Sequence, residues 1–179
     1  MDGIDVAVGD FESEDGEIRL RPVRHAAVDY PPELRSSLID VLPPNGCTAE
    51  RLCVLDTGVG QAFARAALEL ADGADLVASL GQTIYHWVEG THCRGTLQLG
   101  QPAWIAEATG LPVVTNLRAR DVAAGGHGAP LAPVLDRLLL GTPDVPTAAL
   151  NLGGIANVTI LLPDAPAVAF DTKSEAKRS

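Results

Sequence analysis

The chain has 179 residues, 46% hydrophobic and 20% charged, an ordinary globular composition that excludes disorder of the whole chain and predicts one domain. Thirteen basic and 23 acidic residues give a formal charge of −10, which repels phosphate backbones and excludes nucleic acid as a partner. No apolar run reaches the roughly 20 residues of a membrane span, and the acidic start lacks the basic region of a signal peptide, so we expect a cytoplasmic protein.

The first quarter of the chain predicts a β-meander and a helix. Apolar residues alternate over residues 1–11 and again over 17–28, with the turn signal Asp15-Gly16 between them. We therefore expect two or three antiparallel strands, in which Pro22 marks an edge or a break. A first helix opens at the prolines of residues 31–32 and ends before those of 43–44.

Thr48 is a plausible N-cap for a second, longer helix that reaches Leu70. Its apolar residues recur every three or four positions, which predicts one buried face. Gly58 and Gly60 either weaken this helix or let another backbone pack closely against it.

The rest of the chain alternates short strands with helices. The segments at 75–79 and 111–117 predict buried strands, and the glycine-rich run at 118–130 predicts a loop. Further strands are expected at 96–99, 148–152, 158–162 and 168–171, helices at 102–109 and 131–140, and a tight turn at 153–157. A meander followed by this alternation is typical of a mixed α/β sheet covered by helices.

The three cysteines predict neither a disulfide framework nor a zinc site, because their number is odd and no C-x-x-C spacing occurs. His86 and His92 lie near Cys93 in sequence and could be imagined as metal ligands. A solvated loop around residues 89–91 is the favoured interpretation, so no metal ligand is expected here.

A glycine pair flanked by asparagines joins two predicted strands, in the segment Asn151-Leu-Gly153-Gly154-Ile-Ala-Asn157. It is either a β-hairpin turn or a backbone nest for phosphate, to which the asparagines add side-chain donors. The chain has neither a G-x-x-x-x-G-K-[ST] nor a G-x-G-x-x-G motif, so a Walker loop and a dinucleotide fold have no support.

A second polar segment is Arg118-Ala-Arg120-Asp121, which leads into the glycine-rich residues 125–128, including Gly126. If this stretch is extended, the two arginines point the same way and fix an oxygen-rich ligand by charge-assisted hydrogen bonds. The alternative is a surface ion pair, which stabilises by only ~0–1 kcal/mol.

Carboxylates and an amide near strand ends complete the candidate residues. Asp171 follows an apolar strand, where a carboxylate is either a catalytic base or a helix N-cap. Asp2 and Asp5 flank the first strand and either hold Mg²⁺ through water or are solvated at the surface. Gln82, beside Thr83, binds either a sugar hydroxyl or its own loop.

Six segments in this order resemble the anhydro-N-acetylmuramic acid kinase family over essentially the whole chain to Thr172. They are MDGIDVAV, GQTIYHWVEG, TLQLGQPAWIAEATGLPVV, RARDVAAGGHGAPLAP, LNLGGIANVTIL and AFDT. The most specific are RARDVAAGGHGAP and LNLGGIAN.

The resemblance implies a ribonuclease-H-like lobe of the actin-like ATPase and sugar kinase superfamily, in which two lobes close on ATP and Mg²⁺. It also implies a two-step reaction of cell-wall recycling. Water opens the anhydro bridge of 1,6-anhydro-N-acetylmuramic acid, and the freed O6 takes the γ-phosphoryl group of ATP. The product is N-acetylmuramic acid 6-phosphate.

The resemblance also implies roles for individual residues. Asp171 matches the family's general base, which activates the water. The sugar side is implied for Gln82, Thr83, Arg118, Arg120, Asp121 and Gly126. The nucleotide side is implied for Asp2, Gly3, Asp5, Asn151, Gly153, Gly154 and Asn157.

Several departures from the family pattern carry expectations of their own. Residues 1–172 match an N-terminal lobe, and residues 173–179 form an atypical polar tail. We expect the second lobe to be absent. We therefore also expect the chain to have little kinase activity alone. Leu80, Asn116 and His127 stand where the family has His, Asp and Gln. A non-catalytic sugar-binding lobe or a non-functional remnant are the alternatives, and a homodimer is left open.

Overall fold

Fourteen helices and strands are found in a computed structural model that describes residues 3–15, 17–140, 144–152 and 156–172. Up to the middle of the chain they are β1 (Ile4–Glu14), β2 (Glu17–Val28), α1 (Pro32–Asp40), α2 (Ala49–Leu70), β3 (Val77–Ala78), β4 (Gln82–Glu89) and β5 (His92–Leu99). The remainder are α3 (Pro102–Thr109), β6 (Val113–Val114), α4 (Leu117–Ala123), α5 (Ala132–Leu140), β7 (Thr147–Asn151), β8 (Ala156–Leu162) and β9 (Ala165–Thr172).

The described strands pair within four small sheets, β1-β2, β3-β6, β4-β5 and β7-β8-β9. The mixed α/β class is therefore confirmed, but the expectation of one sheet covered by helices is wrong. The strands predicted at 75–79 and 111–117 are only two residues long each, because not all of the apolar side chains in these segments are buried in a core. Leu76 is 53% exposed and Val114 is 44% exposed.

The chain divides into two units, residues 1–10 with 21–128 (unit 1) and residues 11–20 with 129–179 (unit 2). In unit 1, α2 is the central element. Thr48 caps it as predicted, since its Oγ1 accepts a hydrogen bond of 3.1 Å from the Arg51 amide. The prolines at 31–32 and Gly110, with a φ of 69°, bound α1 and α3 as expected.

Two apolar clusters pack on either side of α2. The larger contains Leu38, Leu55 and Val59, each no more than 2% exposed, together with Ile84 and Leu99 from β4 and β5. The smaller contains Ala64, Ala67 and Ile105, against which Val77 and Val113 pack. Alanines and glycines on α2 let its neighbours approach closely, so the short strands β3 and β6 pack directly against this helix.

Gly60 shows why α2 tolerates glycine. A Cβ atom on this residue would lie 2.6 Å from the carbonyl oxygen of Gln101, just before α3. Of the two interpretations offered by the sequence, close backbone packing is therefore the correct one at this position.

Strands β4 and β5 form an antiparallel hairpin that the sequence predicted only in part, as a strand at 96–99. The pairing runs from Gln82 opposite Leu99 to Glu89 opposite His92, with two irregularities of register. The solvated loop expected around residues 89–91 is confirmed as the exposed turn of this hairpin. The flanking strands were missed because Tyr85, Trp87 and other apolar residues are about half exposed, so their pattern does not read as a buried strand.

The β1-β2 pair and unit 2 complete the fold. Two contacts link β1 to β2: Arg21 forms an ion pair with Asp10, and His25 Nε2 lies 3.4 Å from Asp5 Oδ1. In unit 2, β8 lies between β7 and β9 in an antiparallel sheet on which α5 packs. Leu161 and Thr159 on β8 are its most deeply buried residues, at 0% and 1% exposure.

Candidate functional site

A polar pocket of about 240 Å³ lies in unit 1, next to the carboxyl ends of the parallel strands β3 and β6. We name it the strand-end pocket. Its polar and glycine lining comprises Asp56, Gly81, Gln98, Gly100, Gln101, Thr115 and Asn116. Ligands of α/β proteins bind outside the carboxyl ends of parallel strands, because the chain leaves the sheet there and opens a crevice.

Helix α2 builds one wall of this pocket through Asp56. The Asp56 Oδ1 atom accepts a 2.7 Å hydrogen bond from the Gly100 amide, and its backbone carbonyl accepts one of 3.2 Å from the Gln101 amide. These two bonds fix the turn between β5 and α3. Gly100 has a φ of 122°, a conformation that only glycine adopts readily.

Asn116 is the only described residue besides Asp15 that combines a side chain with a positive φ, here 59°. It precedes α4, and its side chain makes no capping hydrogen bond to the helix. Asparagine tolerates the left-handed region better than most residues, yet the conformation still costs free energy. Such strained positions gather at functional sites, which makes Asn116 a candidate ligand contact.

Gln82 and Thr83, predicted on the sugar side, lie directly after Gly81 and are held by neighbours. Tyr30 donates a 3.0 Å hydrogen bond to Gln82 Oε1, while Gln82 Nε2 donates to the Thr83 carbonyl at 3.1 Å. Gln98 Nε2 donates to Thr83 Oγ1 at 3.0 Å. Burial raises the pKa of Tyr30 to about 12, so the phenol stays a donor even in alkaline solution, and the two hydrogen bonds of Gln82 hold its amide in one orientation.

The glycine-rich segment is not the extended loop that the sequence predicted, because α4 begins at Leu117. Arg118 and Arg120 therefore do not share a face, since residues two apart on a helix point in different directions. The helix was missed because it has only seven residues and leads into the glycines at 125–128, which are typical of a loop.

The described contacts of Arg118 and Asp121 lie within this segment. Arg118 donates to the Gly128 carbonyl at 2.9 Å, and Asp121 Oδ2 accepts from the Gly128 amide at 2.7 Å. A Cβ atom on Gly126 would lie 2.2 Å from Asp121 Oδ2, so only glycine fits there. Arg118, Asp121 and Gly126 therefore hold the loop together, whereas Arg120 is exposed. A direct contact of any of these four residues with a sugar stays a prediction.

In unit 2, three of the predicted residues share one row of the sheet. Asn151 pairs with Asn157, and Asn157 pairs with Asp171 across β7, β8 and β9. The strand before Asp171 is not buried as expected, because Val168 and Phe170 are 50% and 48% exposed. Gly153, Gly154 and the Asp171 side chain lie outside the described residues, so the turn and the base stay predictions.

The predicted residues near the first strand are only partly described. Asp2 lies outside the described residues. A Cβ atom on Gly3 would lie 3.1 Å from the Val28 carbonyl oxygen, and Asp5 lies on the exposed hairpin 3.4 Å from His25 Nε2. The carboxylate of Asp5 is therefore paired across the hairpin.

Two further observations concern metals and membranes. His86 and Cys93 face each other across the β4-β5 hairpin with 4.0 Å between Nδ1 and Sγ, but no group of three metal-binding side chains occurs among the described residues. Within the same residues, every helix is too short or too polar to cross a bilayer.

Sequence reasoning missed Asp56, Gln98, Gln101 and Thr115 as pocket residues. A signal for part of the pocket was nonetheless present. The tripeptide Leu-Gly-Gln occurs at residues 80–82 and again at 99–101, and both of its glycines line the pocket with a positive φ. No comparable pattern marks Asp56, which lies within a helix.

Comparison with known proteins places these features in a family. The sequence profile described as anhydro-N-acetylmuramic acid kinase matches residues 1–176. Proteins of that name from Streptomyces coelicolor and Rhodococcus erythropolis are 56% and 49% identical, each over 96% of this chain. A third, from Caldanaerobacter subterraneus, is 38% identical over 96% of this chain. The chain spans 45%, 46% and 47% of the length of these three relatives.

Proposed function

Because the chain belongs to the anhydro-N-acetylmuramic acid kinase family, we propose that it serves the ATP-dependent phosphorylation of 1,6-anhydro-N-acetylmuramic acid. A water molecule attacks the anomeric carbon and loses its proton to a base, and the bond from that carbon to O6 breaks. O6 then takes the γ-phosphoryl group of ATP, which leaves as ADP. The product is N-acetylmuramic acid 6-phosphate, and ATP, as the phosphoryl donor, places the reaction in the cytoplasm.

The polar lining of the strand-end pocket is the observation that carries this proposal. Asp56, Gln98, Thr115 and Asn116 supply a carboxylate, two amides and a hydroxyl, and none of the described lining residues is positively charged. Hydroxyl and acetamido groups find partners in such a lining, whereas a phosphate would meet the Asp56 carboxylate with no cation in the described lining to offset the repulsion. The pocket therefore suits the sugar better than the nucleotide.

The nucleotide and base roles are proposed for unit 2. Asn151, Gly153, Gly154 and Asn157 are assigned to the phosphates of ATP, and Asp171 to activation of the water. Support comes from the sheet register, which sets Asn151, Asn157 and Asp171 in one row. Residues 1–172 are proposed to form an N-terminal lobe of ribonuclease-H-like topology, as in actin-like sugar kinases.

Mg²⁺ is expected of a kinase, but the described residues do not assemble a site for it. Asp5 is the one carboxylate of the nucleotide-side set whose side chain is described, and it faces His25 on an exposed hairpin. We therefore derive no step through the metal.

A non-catalytic sugar-binding lobe is the competing function. The observation that favours it is that the pocket's described residues lie entirely within unit 1, while the proposed base is on β9. Such a lobe would bind the sugar whether or not nucleotide is present.

Calorimetric titration of the 179-residue chain distinguishes the two functions. We expect 1,6-anhydro-N-acetylmuramic acid to bind in preference to N-acetylmuramic acid, and to bind more tightly when ATP and Mg²⁺ are present. Sugar binding that does not respond to nucleotide would support the sugar-binding lobe instead. The absence of any preference for the anhydro sugar would contradict both functions.

A further inference from the structure

We propose that Asp56 and Asn116 are the sugar-recognition pair of the strand-end pocket, with Asp56 accepting a hydroxyl and Asn116 pairing with the acetamido group. This inference rests on the proposed function, because it assigns the contacts of that same ligand. The sequence resemblance implies no role for Asp56, and it points to Asn116 only as a departure from the family's aspartate that alters the polar character of the sugar pocket.

Asp56 offers one carboxylate oxygen in a fixed direction. Its Oδ1 atom is held by the Gly100 amide at 2.7 Å, and among the described residues its second oxygen has no hydrogen-bond partner. The side chain is half-buried on α2 and lines the pocket. A carboxylate that is already oriented loses little conformational freedom when it accepts a further hydrogen bond, so it is suited to ligand binding.

Asn116 offers an exposed side-chain amide for which the described residues provide no capping partner. Its side chain makes no bond to α4, although it stands at the N-cap position where asparagine usually makes one. The residue is held at a φ of 59° and lines the pocket. Because its amide carries both donors and an acceptor, it can accept the N–H or donate to the carbonyl oxygen of a ligand amide.

The chemistry of the sugar then decides which group each residue takes. In 1,6-anhydro-N-acetylmuramic acid one bridging oxygen joins C1 to C6 and the lactyl ether uses O3, so the donors are the O4 hydroxyl and the acetamido N–H. A carboxylate can only accept, so it must take one of these two donors. When Asn116 Oδ1 accepts the acetamido N–H, the O4 hydroxyl is the donor left to Asp56.

The charge of Asp56 also sets the orientation of the ligand. The lactyl group is a carboxylate at neutral pH, and like charges repel at short range. Among the described lining residues no cation offsets this repulsion. The lactyl group therefore points away from Asp56 when the sugar is bound.

The test is calorimetry on the full chain with 1,6-anhydro-N-acetylmuramic acid and its 4-deoxy analogue. Asp56→Asn keeps an oxygen for the Gly100 amide and removes the charge, so the turn is retained. We expect it to weaken binding of the parent sugar about tenfold, as removal of a charged hydrogen-bond acceptor does. The 4-deoxy sugar should bind about tenfold more weakly to the wild type, with little further loss in Asp56→Asn.

Asn116→Gly and Asp75→Asn complete the set of variants. Glycine retains the left-handed conformation and removes only the amide, so about a tenfold loss is expected without loss of folding. Asp75 is an exposed carboxylate before the amino end of β3, away from the pocket, and its replacement should leave binding unchanged.

The outcomes separate this inference from the proposed function. If Asp56→Asn binds the parent sugar as tightly as the wild type does, the assignment of Asp56 to the hydroxyl is overturned while the proposed function stands. The same conclusion follows if its affinities for the parent sugar and for the 4-deoxy sugar fall by the same factor. If Asn116→Gly binds normally, the pair is overturned in the same way. Failure of the wild type to bind the anhydro sugar overturns both the inference and the function.

Discussion

Replacing Gly81 by alanine is expected to destabilise the chain by about 2–5 kcal/mol, through two separate costs. Gly81 has a φ of 68°, a left-handed conformation that costs an alanine about 1–2 kcal/mol. The added Cβ would also lie 2.7 Å from the Cβ of Gln98 and 3.0 Å from the Leu99 carbonyl oxygen. Overpacking of this kind costs about 1–3 kcal/mol, because a paired strand moves only with its partner.

Gly73→Ala is the matched control for Gly81→Ala. Gly73 also has a positive φ, of 79°, but a Cβ there would meet nothing within 4 Å. It should therefore show the backbone cost alone, about 1–2 kcal/mol. Urea denaturation of both variants measures the difference, and equal losses of unfolding free energy would refute the close contact between Gly81 and β5.

Gly60→Ala is expected to lower the unfolding free energy by up to about 2 kcal/mol even though alanine is the better helix former. Its Cβ would lie 2.6 Å from the Gln101 carbonyl oxygen and 2.9 Å from Trp104 Cδ1. Pushing the start of α3 away costs about 1–3 kcal/mol, against a propensity gain of about 1 kcal/mol. Because Gln101 lines the strand-end pocket, sugar affinity should fall as well.

Gly58→Ala, two residues earlier on α2, should behave in the opposite way. The nearest atom to its Cβ is Leu34 Cδ1 at 3.1 Å, the end of a flexible side chain that can move aside. The propensity gain of up to about 1 kcal/mol is then kept. Thermal or urea unfolding of the two variants compares them directly, and the same sign of effect at both positions would contradict the packing of α2 against Gln101.

Local signals predicted the helix ends well, because capping is a matter of a few neighbouring residues. Thr48 and Gly110 act at the helix ends as their residue types suggest. α4 was missed although Asn116 is a favoured residue type for a helix start. The helix is only seven residues long, and the glycines at 125–128 make the neighbourhood resemble a loop.

The sheets were harder to predict because pairing partners lie far apart in sequence. Val77 pairs with Val113, and nothing in either short apolar run specifies the other. The hairpin of β4 and β5 was obscured by half-exposed residues such as Tyr85 and Trp87, which blur the alternation of a strand.

The candidate site shows the same division between local and distant signals. Gln82 and Thr83 were recognised by their segment, and the structure holds them beside the strand-end pocket through Tyr30 and Gln98. Asp56 was not recognised, because its partner Gly100 is 44 residues away and an aspartate inside a helix has no distinctive pattern.

Mapping amide chemical shifts in ¹H–¹⁵N spectra of the chain during titration with 1,6-anhydro-N-acetylmuramic acid tests most directly whether the sugar occupies the strand-end pocket. We expect the largest shifts at Gly81, Gly100, Thr115 and Asn116, whose backbones line it. Saturating binding with shifts confined to residues 125–128, and none at those four amides, would contradict this assignment.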